Sequence, residues 1–171
     1  MSNKTEKGKI HMKFSKRNVL KRYISFALAF CVILCCSISA NAVVPYYTSG
    51  GTCTIGTLKF WCSARVDHTE TENTLYVDSI YITVNNTGSH PLDQYRFVAC
   101  NSSQSQYDQK AGNMTAINPG TTTLFGAQFK KNYSKTAYTD ASVLNSSSVG
   151  GGWEIYWEAG EDRKKTEKLH Y

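Results

Sequence analysis

Beyond residue 42 the chain has no sustained helical stripe, no second long apolar run, no internal repeat and no recognisable catalytic motif. Each absence narrows the reading. Without apolar residues recurring at helical spacing, a helical bundle or an alternating α/β fold is excluded. No G-x-S-x-G, H-E-x-x-H, Walker-type or EF-hand pattern occurs, so the common hydrolase, metalloprotease, nucleotide and calcium chemistries have no carrier, and no cofactor is expected. The segment SVGGGW is glycine-rich, but it lacks the lysine and following helix of a phosphate cradle and reads as a flexible turn. Histidine is scarce beyond residue 42, with only His68, His90 and His170. His90 precedes Pro91 among turn formers and His170 stands beside the last residue, so both read as solvent-exposed. Cysteine is scarce there too: Cys53, Cys62 and Cys100 permit one disulfide and leave one thiol over. Short separation favours Cys53–Cys62, which leaves Cys100 as a buried thiol or an intermolecular linker.

The apolar stretch lies near the start. Ile24 to Cys36 is mostly apolar, and at about 1.5 Å per residue a helix of that length falls short of the roughly 30 Å hydrocarbon core. It follows the acid-free basic stretch KFSKRNVLKRY and precedes Ala40-Asn41-Ala42, an A-x-A pattern. That order describes a secretory signal peptide over residues 1–42, with a helical apolar core and cleavage after Ala42. An uncleaved short anchor is the alternative. A lipoprotein anchor fits less well, because Leu34 and Cys35 stand where that motif has small residues. Met12 is a second candidate start. The leader also carries the basic charge. Of 19 Lys+Arg and 13 Asp+Glu, eight bases and one acid lie in residues 1–42, leaving 11 bases and 12 acids in residues 43–171. The basic balance therefore belongs to the targeting segment, and nucleic acid is not an expected partner. Membrane contact is expected only through the leader during export. A secreted, extracellular location with permitted disulfides follows as the expectation.

Residues 43–171 are long enough for one domain that buries a core without crosslinks. They are rich in Thr, Ser, Tyr, Val, Asn and Gly, which suit strands and turns. In GTLKFWCSARVD, Leu58, Phe60, Cys62, Ala64 and Val66 alternate with polar neighbours, as in a half-buried strand. In LYVDSIYITV the apolar phase slips between Val77 and Ile80, which predicts a bulge near Asp78-Ser79 or burial of both faces. LDQYRFVAC, TTLFGAQF and KKTEKLHY read as further strands, and WEIYWEA puts Trp153, Ile155 and Trp157 on one face. NNTGSHP, NPGT and GEDR read as turns. NSSQSQYDQKAGN is polar and unpatterned and reads as an exposed loop, with MTAI a short strand after it. Seven to nine short strands without a helix predict an immunoglobulin-like antiparallel β-sandwich, with a jelly roll or small barrel as alternatives. Trp61 directly precedes Cys62, which is not the antibody Cys…Trp…Cys order.

The stretch YITVNNTGSHPLDQYRF…MTAINPGTTTLF, Tyr81 to Phe125, resembles bacterial extracellular immunoglobulin-like modules, including the CARDB-type adhesion-related domains, in which a strand ending VxNTG is followed by a return strand and then PGT. The resemblance implies a secreted or surface-associated, non-enzymatic module used for adhesion or spacing. The chain departs from the pattern as a single copy without a C-terminal sorting signal. Its leader resembles those of Gram-positive secreted proteins.

Two candidate sites follow from the residues. In DHTETE, His68, Glu70 and Glu72 share a face of an extended backbone, and one imidazole with two carboxylates can hold a divalent metal. The alternative is a charged strand end. Trp61 falls on the polar face of its strand, where an exposed ring stacks on a sugar or anchors a partner; packing is the alternative. Five N-x-S/T sequons, at Asn85, Asn101, Asn113, Asn132 and Asn145, read as incidental to a polar surface. The expected function is a non-enzymatic extracellular binding module for a protein or glycan. A secreted bacteriocin-like toxin and a metal-dependent enzyme at His68, Glu70 and Glu72 are the alternatives.

Overall fold

Alternating apolar residues can be buried only against a second layer. In the computed structural model, which describes residues 42–146, 148–158 and 165–171, the chain supplies that layer itself. Ten strands occur in chain order: β1 (Val44–Tyr47), β2 (Gly51–Ile55), β3 (Leu58–Glu70), β4 (Thr74–Asn86), β5 (Leu92–Asn101), β6 (Tyr107–Ile117), β7 (Thr122–Ser134), β8 (Ala137–Asn145), β9 (Ser148–Trp157) and β10 (Lys165–His170). One antiparallel sheet runs β1–β3–β4–β7, with β2 also on β3; the other runs β10–β9–β8–β5–β6. Taking β3 as strand A, the first sheet reads A-B-E and β6–β5–β8–β9 reads C′-C-F-G, the immunoglobulin-like order of a β-sandwich. Phe60, Cys62, Val66, Ile80, Ile82 and Val84 from the first sheet meet Phe97, Val143, Trp153 and Ile155 from the second in a common core. The predicted leader and the GEDR turn lie outside the described residues.

The predicted bulge is present: the β3–β4 register slips between Asp67 and His68, leaving Asp78 without a partner on β3. Inward residues pass from Leu75 and Val77 to Ile80, Ile82 and Val84 across that point.

Other expectations change. The described residues form ten strands rather than seven to nine, and three of them, β3, β4 and β7, run 13 residues each and are not short. NSSQSQYDQKAGN is an exposed loop only from Ser102 to Gln106, because β6 begins at Tyr107 and absorbs MTAI. Among the described residues β6 is an edge strand paired only with β5 and exposed along most of its length, so no burial period marks it. Nor is VGGGW a turn, since Gly150, Gly151 and Gly152 lie buried within β9. The segment before β3 forms two short strands lying end to end along it. Thr48 patches the break: its N–H donates to the Ala64 carbonyl at 3.0 Å, and its Oγ1 accepts from the Ala64 N–H at 2.8 Å.

The NTG and PGT turns have different physical origins. Gly120 has φ +81°, the left-handed conformation glycine favours. Gly88 does not; a Cβ there would stand 2.8 Å from the Lys59 backbone nitrogen, so its glycine answers to close approach.

Candidate functional site

The outer face of the first sheet carries an exposed aromatic surface. Inward residues of β3 and β4 fill the core, so their alternates Trp61, Ser63, Arg65, Tyr81, Thr83 and Asn85 project outward. Tyr47 stands opposite Arg65, Arg65 opposite Tyr81 and Tyr81 opposite Gly126, which makes one row across four strands. The Tyr81 ring lies down over Gly126, which has no side chain to lift it. Above it the Arg65 guanidinium stacks 4.2 Å from the ring centroid, held by Asp67 at 3.0 Å. Tyr47 is 63% exposed, Leu124 59% and Trp61 39%, and the Trp61 ring lies against the space left by Gly50. A hollow of about 100 Å³ is lined by Tyr47, Ser63, Arg65, Tyr81, Thr83 and Leu124. Trp61 and Arg65 are four residues apart on one strand face, about 13 Å, so a ligand touching both must be extended.

A second concavity, about 560 Å³, opens beside Tyr138, Tyr156, Trp157 and Thr166. The Tyr138 and Tyr156 rings lie 5.4 Å apart there.

The predicted His68, Glu70 and Glu72 constellation forms only in part. His68 and Glu70 come together, with Nε2 and Oε1 3.0 Å apart, but Glu72 lies exposed in the β3–β4 turn. Lys165 from β10 takes the place a cation would occupy: its Nζ is 2.8 Å from Glu70 Oε1 and 3.1 Å from His68 Nε2. The same ammonium lies 4.2 Å from the centroid of the Trp157 ring system and 4.6 Å from that of Tyr46. Burial pushes the His68 imidazole down, so it is neutral, with Nδ1–H donating to the Val66 carbonyl and Nε2 accepting from Lys165. Burial alone would raise Glu70; the Lys165 hydrogen bond and charge outweigh it and hold the carboxyl below its ordinary range. The β3–β10 contact is not visible in DHTETE, because Lys165 is 95 residues beyond Glu70.

This cluster sets a pH dependence. His68 has a depressed folded value, so the unfolded chain takes up that proton more readily. Its contribution to stability is full above the unfolded value of about 6.5 and is lost as pH falls through the folded value. Urea midpoints at pH 7.5 and pH 5.5 should differ less in His68→Gln than in the parent chain. An equal difference in both would exclude His68 as the titrating group.

Cys53 and Cys62 are brought together as thiols, their sulfurs 3.9 Å apart on paired strands, and a bond would require them to close by about 2 Å. The hydrogen bond with Cys53 and burial push the Cys62 thiol up. Cys100 stands on the other sheet, buried and hydrogen-bonded with Tyr138. Trp153 and Trp157 are buried as predicted, and Trp153 Nε1–H donates to the Cys62 carbonyl at 3.1 Å across the sandwich. His170 is not the exposed terminal residue the sequence implied; its side chain is 18% exposed and lies beside Asp140.

No family model matches the chain, and no curated protein matches it. Among solved structures it is similar to a Bordetella pertussis protein described as ApaA, with 10% identity over 69% of this chain and 93% of that one, at a TM-score of 0.37. A second similar structure, a structural-genomics target, has 10% identity over 77% of this chain and 83% of that one, at a TM-score of 0.26. At these scores neither neighbour bears on the fold or the function.

Proposed function

We propose that the chain is an exported, non-enzymatic binding module that engages an extended glycan through the outer face of its first sheet. The observation that carries this reading is the open face bearing Tyr47, Trp61 and Leu124, with the Arg65–Tyr81 stack between them. Exposed rings offer apolar surface to the C–H faces of sugars, while Ser63, Thr83, Asn85 and Arg65 supply hydroxyl, amide and guanidinium partners around them. The location outside the cell rests on the basic stretch, apolar run and Ala40-Asn41-Ala42 pattern of the sequence. The likeness of Tyr81–Phe125 to adhesion-related modules points the same way.

The test uses protein recovered from the culture medium, whose intact mass should place the N-terminus at Val43. Sedimentation with insoluble polysaccharides and cell-wall preparations, followed by a glycan array, should show retention. Trp61→Ala should weaken it by roughly 30-fold, the effect of losing a ring worth about 2 kcal/mol at a binding hot spot. Retention by no glycan, glycan turnover, or binding unchanged in both Trp61→Ala and Tyr47→Ala would overturn the reading. Capture of a protein ligand alone would overturn the glycan assignment.

A further inference from the structure

We propose that Asp140, Glu154 and His170 form a binding site for one divalent transition-metal ion, with zinc the best match, on the outer side of the second sheet. The site is independent of the glycan reading, which concerns the other sheet.

The three residues come from three neighbouring strands. Asp140 on β8 stands opposite Glu154 on β9, and His170 on β10 stands opposite Gly152 on β9. A side chain at position 152 would lie between His170 and β8. Because that residue is glycine, the imidazole reaches across β9 to the Asp140 carboxylate. The ligand atoms of all three residues lie within 4.8 Å of one another.

His170 Nε2 forms a 2.8 Å ion-pair contact with Asp140 Oδ2 that lies off the ideal hydrogen-bond axis. Burial alone would lower the imidazole's proton affinity, but the Asp140 and Glu154 carboxylates outweigh it and raise that affinity, so a metal ion would take the place of that proton. Two donor atoms turned toward one point, rather than along an N–H bond, is an arrangement a shared cation satisfies. The remaining carboxylate oxygens are already fixed from outside. Ser142 Oγ–H donates to Asp140 Oδ1 at 2.8 Å, and Tyr156 O–H donates to Glu154 Oε2 at 3.2 Å. These contacts orient each carboxylate and leave its other oxygen free, which is what outer-shell partners do at metal centres. Asp140 is 3% exposed, so its charge requires compensation. Arg96 supplies a part: its Nε lies 3.9 Å from Oδ1, on the side away from His170, and Lys168 stands opposite Glu154 in the ladder.

The donor set selects the metal. Calcium and magnesium take oxygen ligands, whereas one imidazole with two carboxylates suits zinc and its neighbours. Three protein ligands leave at least one position for water or a ligand from outside the chain. A bound ion would fasten β10 to β9 and β8, and so hold the last strand on the sheet edge.

Equilibrium dialysis of the chelator-stripped full chain against zinc, followed by elemental analysis, tests this. The expected result is one zinc per chain and a raised thermal midpoint in zinc that magnesium does not reproduce. His170→Gln, Asp140→Asn and Glu154→Gln should each weaken zinc binding at least about tenfold, while His68→Gln should not change it. Should Asp140→Asn fail to fold, His170→Gln, on the edge strand β10, decides the question. No retained zinc, retention undiminished in His170→Gln, or an equal response to magnesium would overturn the site.

Discussion

Replacement of Asn86 by alanine is expected to lower the free energy of unfolding by roughly 4 kcal/mol, a large share of the stability of a domain this size. Asn86 is 1% exposed at the end of β4 and ties two connections together. Its Nδ2 donates to the His90 carbonyl at 2.8 Å in the β4–β5 turn and to the Ile117 carbonyl at 2.7 Å at the end of β6. Its Oδ1 accepts from the Gly88 N–H at 3.0 Å. Its own backbone donates to Thr121 and accepts from Gly120 across the PGT turn. Alanine leaves two carbonyls and one N–H without partners, each costing about 1–3 kcal/mol where water cannot replace them. Asn86→Asp keeps the shape but turns an acceptor toward two carbonyl oxygens, so its loss should exceed that of alanine above pH 5. Urea unfolding followed by tryptophan fluorescence measures both. A loss under 1 kcal/mol in Asn86→Ala would show that water or a relaxed turn replaces the side chain.

Gly152→Ala should cost about 3 kcal/mol or more, the upper part of the range for overpacking a buried site. The added methyl would meet the Ala141 carbonyl oxygen and the Ser142 backbone on β8, with no flexible side chain to give way. Relief requires β8 and β9 to separate where Ser142 and Gly152 pair. Gly56→Ala makes the comparison informative: that glycine has φ +57° in the β2–β3 turn, and a Cβ there meets nothing within 4 Å. Its cost should be the smaller one, about 1 kcal/mol of backbone strain. Equal thermal midpoints for the two variants would show that β9 tolerates the methyl and that the close approach is not maintained in solution.

These two sites show how far the residues could be read in one dimension. The turn at NNTGSHP was legible because Asn, Gly, Ser and Pro punctuate chains through local backbone preferences. That Asn86 is its buried anchor was not, because its partners Ile117 and Thr121 become neighbours only when β6 and β7 close the sandwich. The glycines of β9 read as a turn for a similar reason: a strand interior rarely chooses glycine unless another backbone crowds it, and the crowding strands are β8 at Gly150 and Gly152 and β10 at Gly151. Trp61 was legible as an outward ring by alternation, yet the face it belongs to draws Tyr47, Tyr81 and Leu124 from three other strands. His68 and Glu70 were legible as neighbours, whereas Lys165, which neutralises Glu70 and donates to His68, was not.

Period-two alternation by itself marked β3 and β9 as strands with one inward face and located a phase slip near Asp78 in β4, because burial of one strand face leaves a local and repeating mark; strand after strand without a helix then predicted a two-layer all-β fold. Only the tertiary structure decided that the polar run from Tyr107 is an edge strand, that Lys165 closes the His68–Glu70 pair, and that Asp140, Glu154 and His170 converge. Those features depend on strand pairing between distant residues. Register is set by the packing of two whole sheets, a property no window of sequence contains.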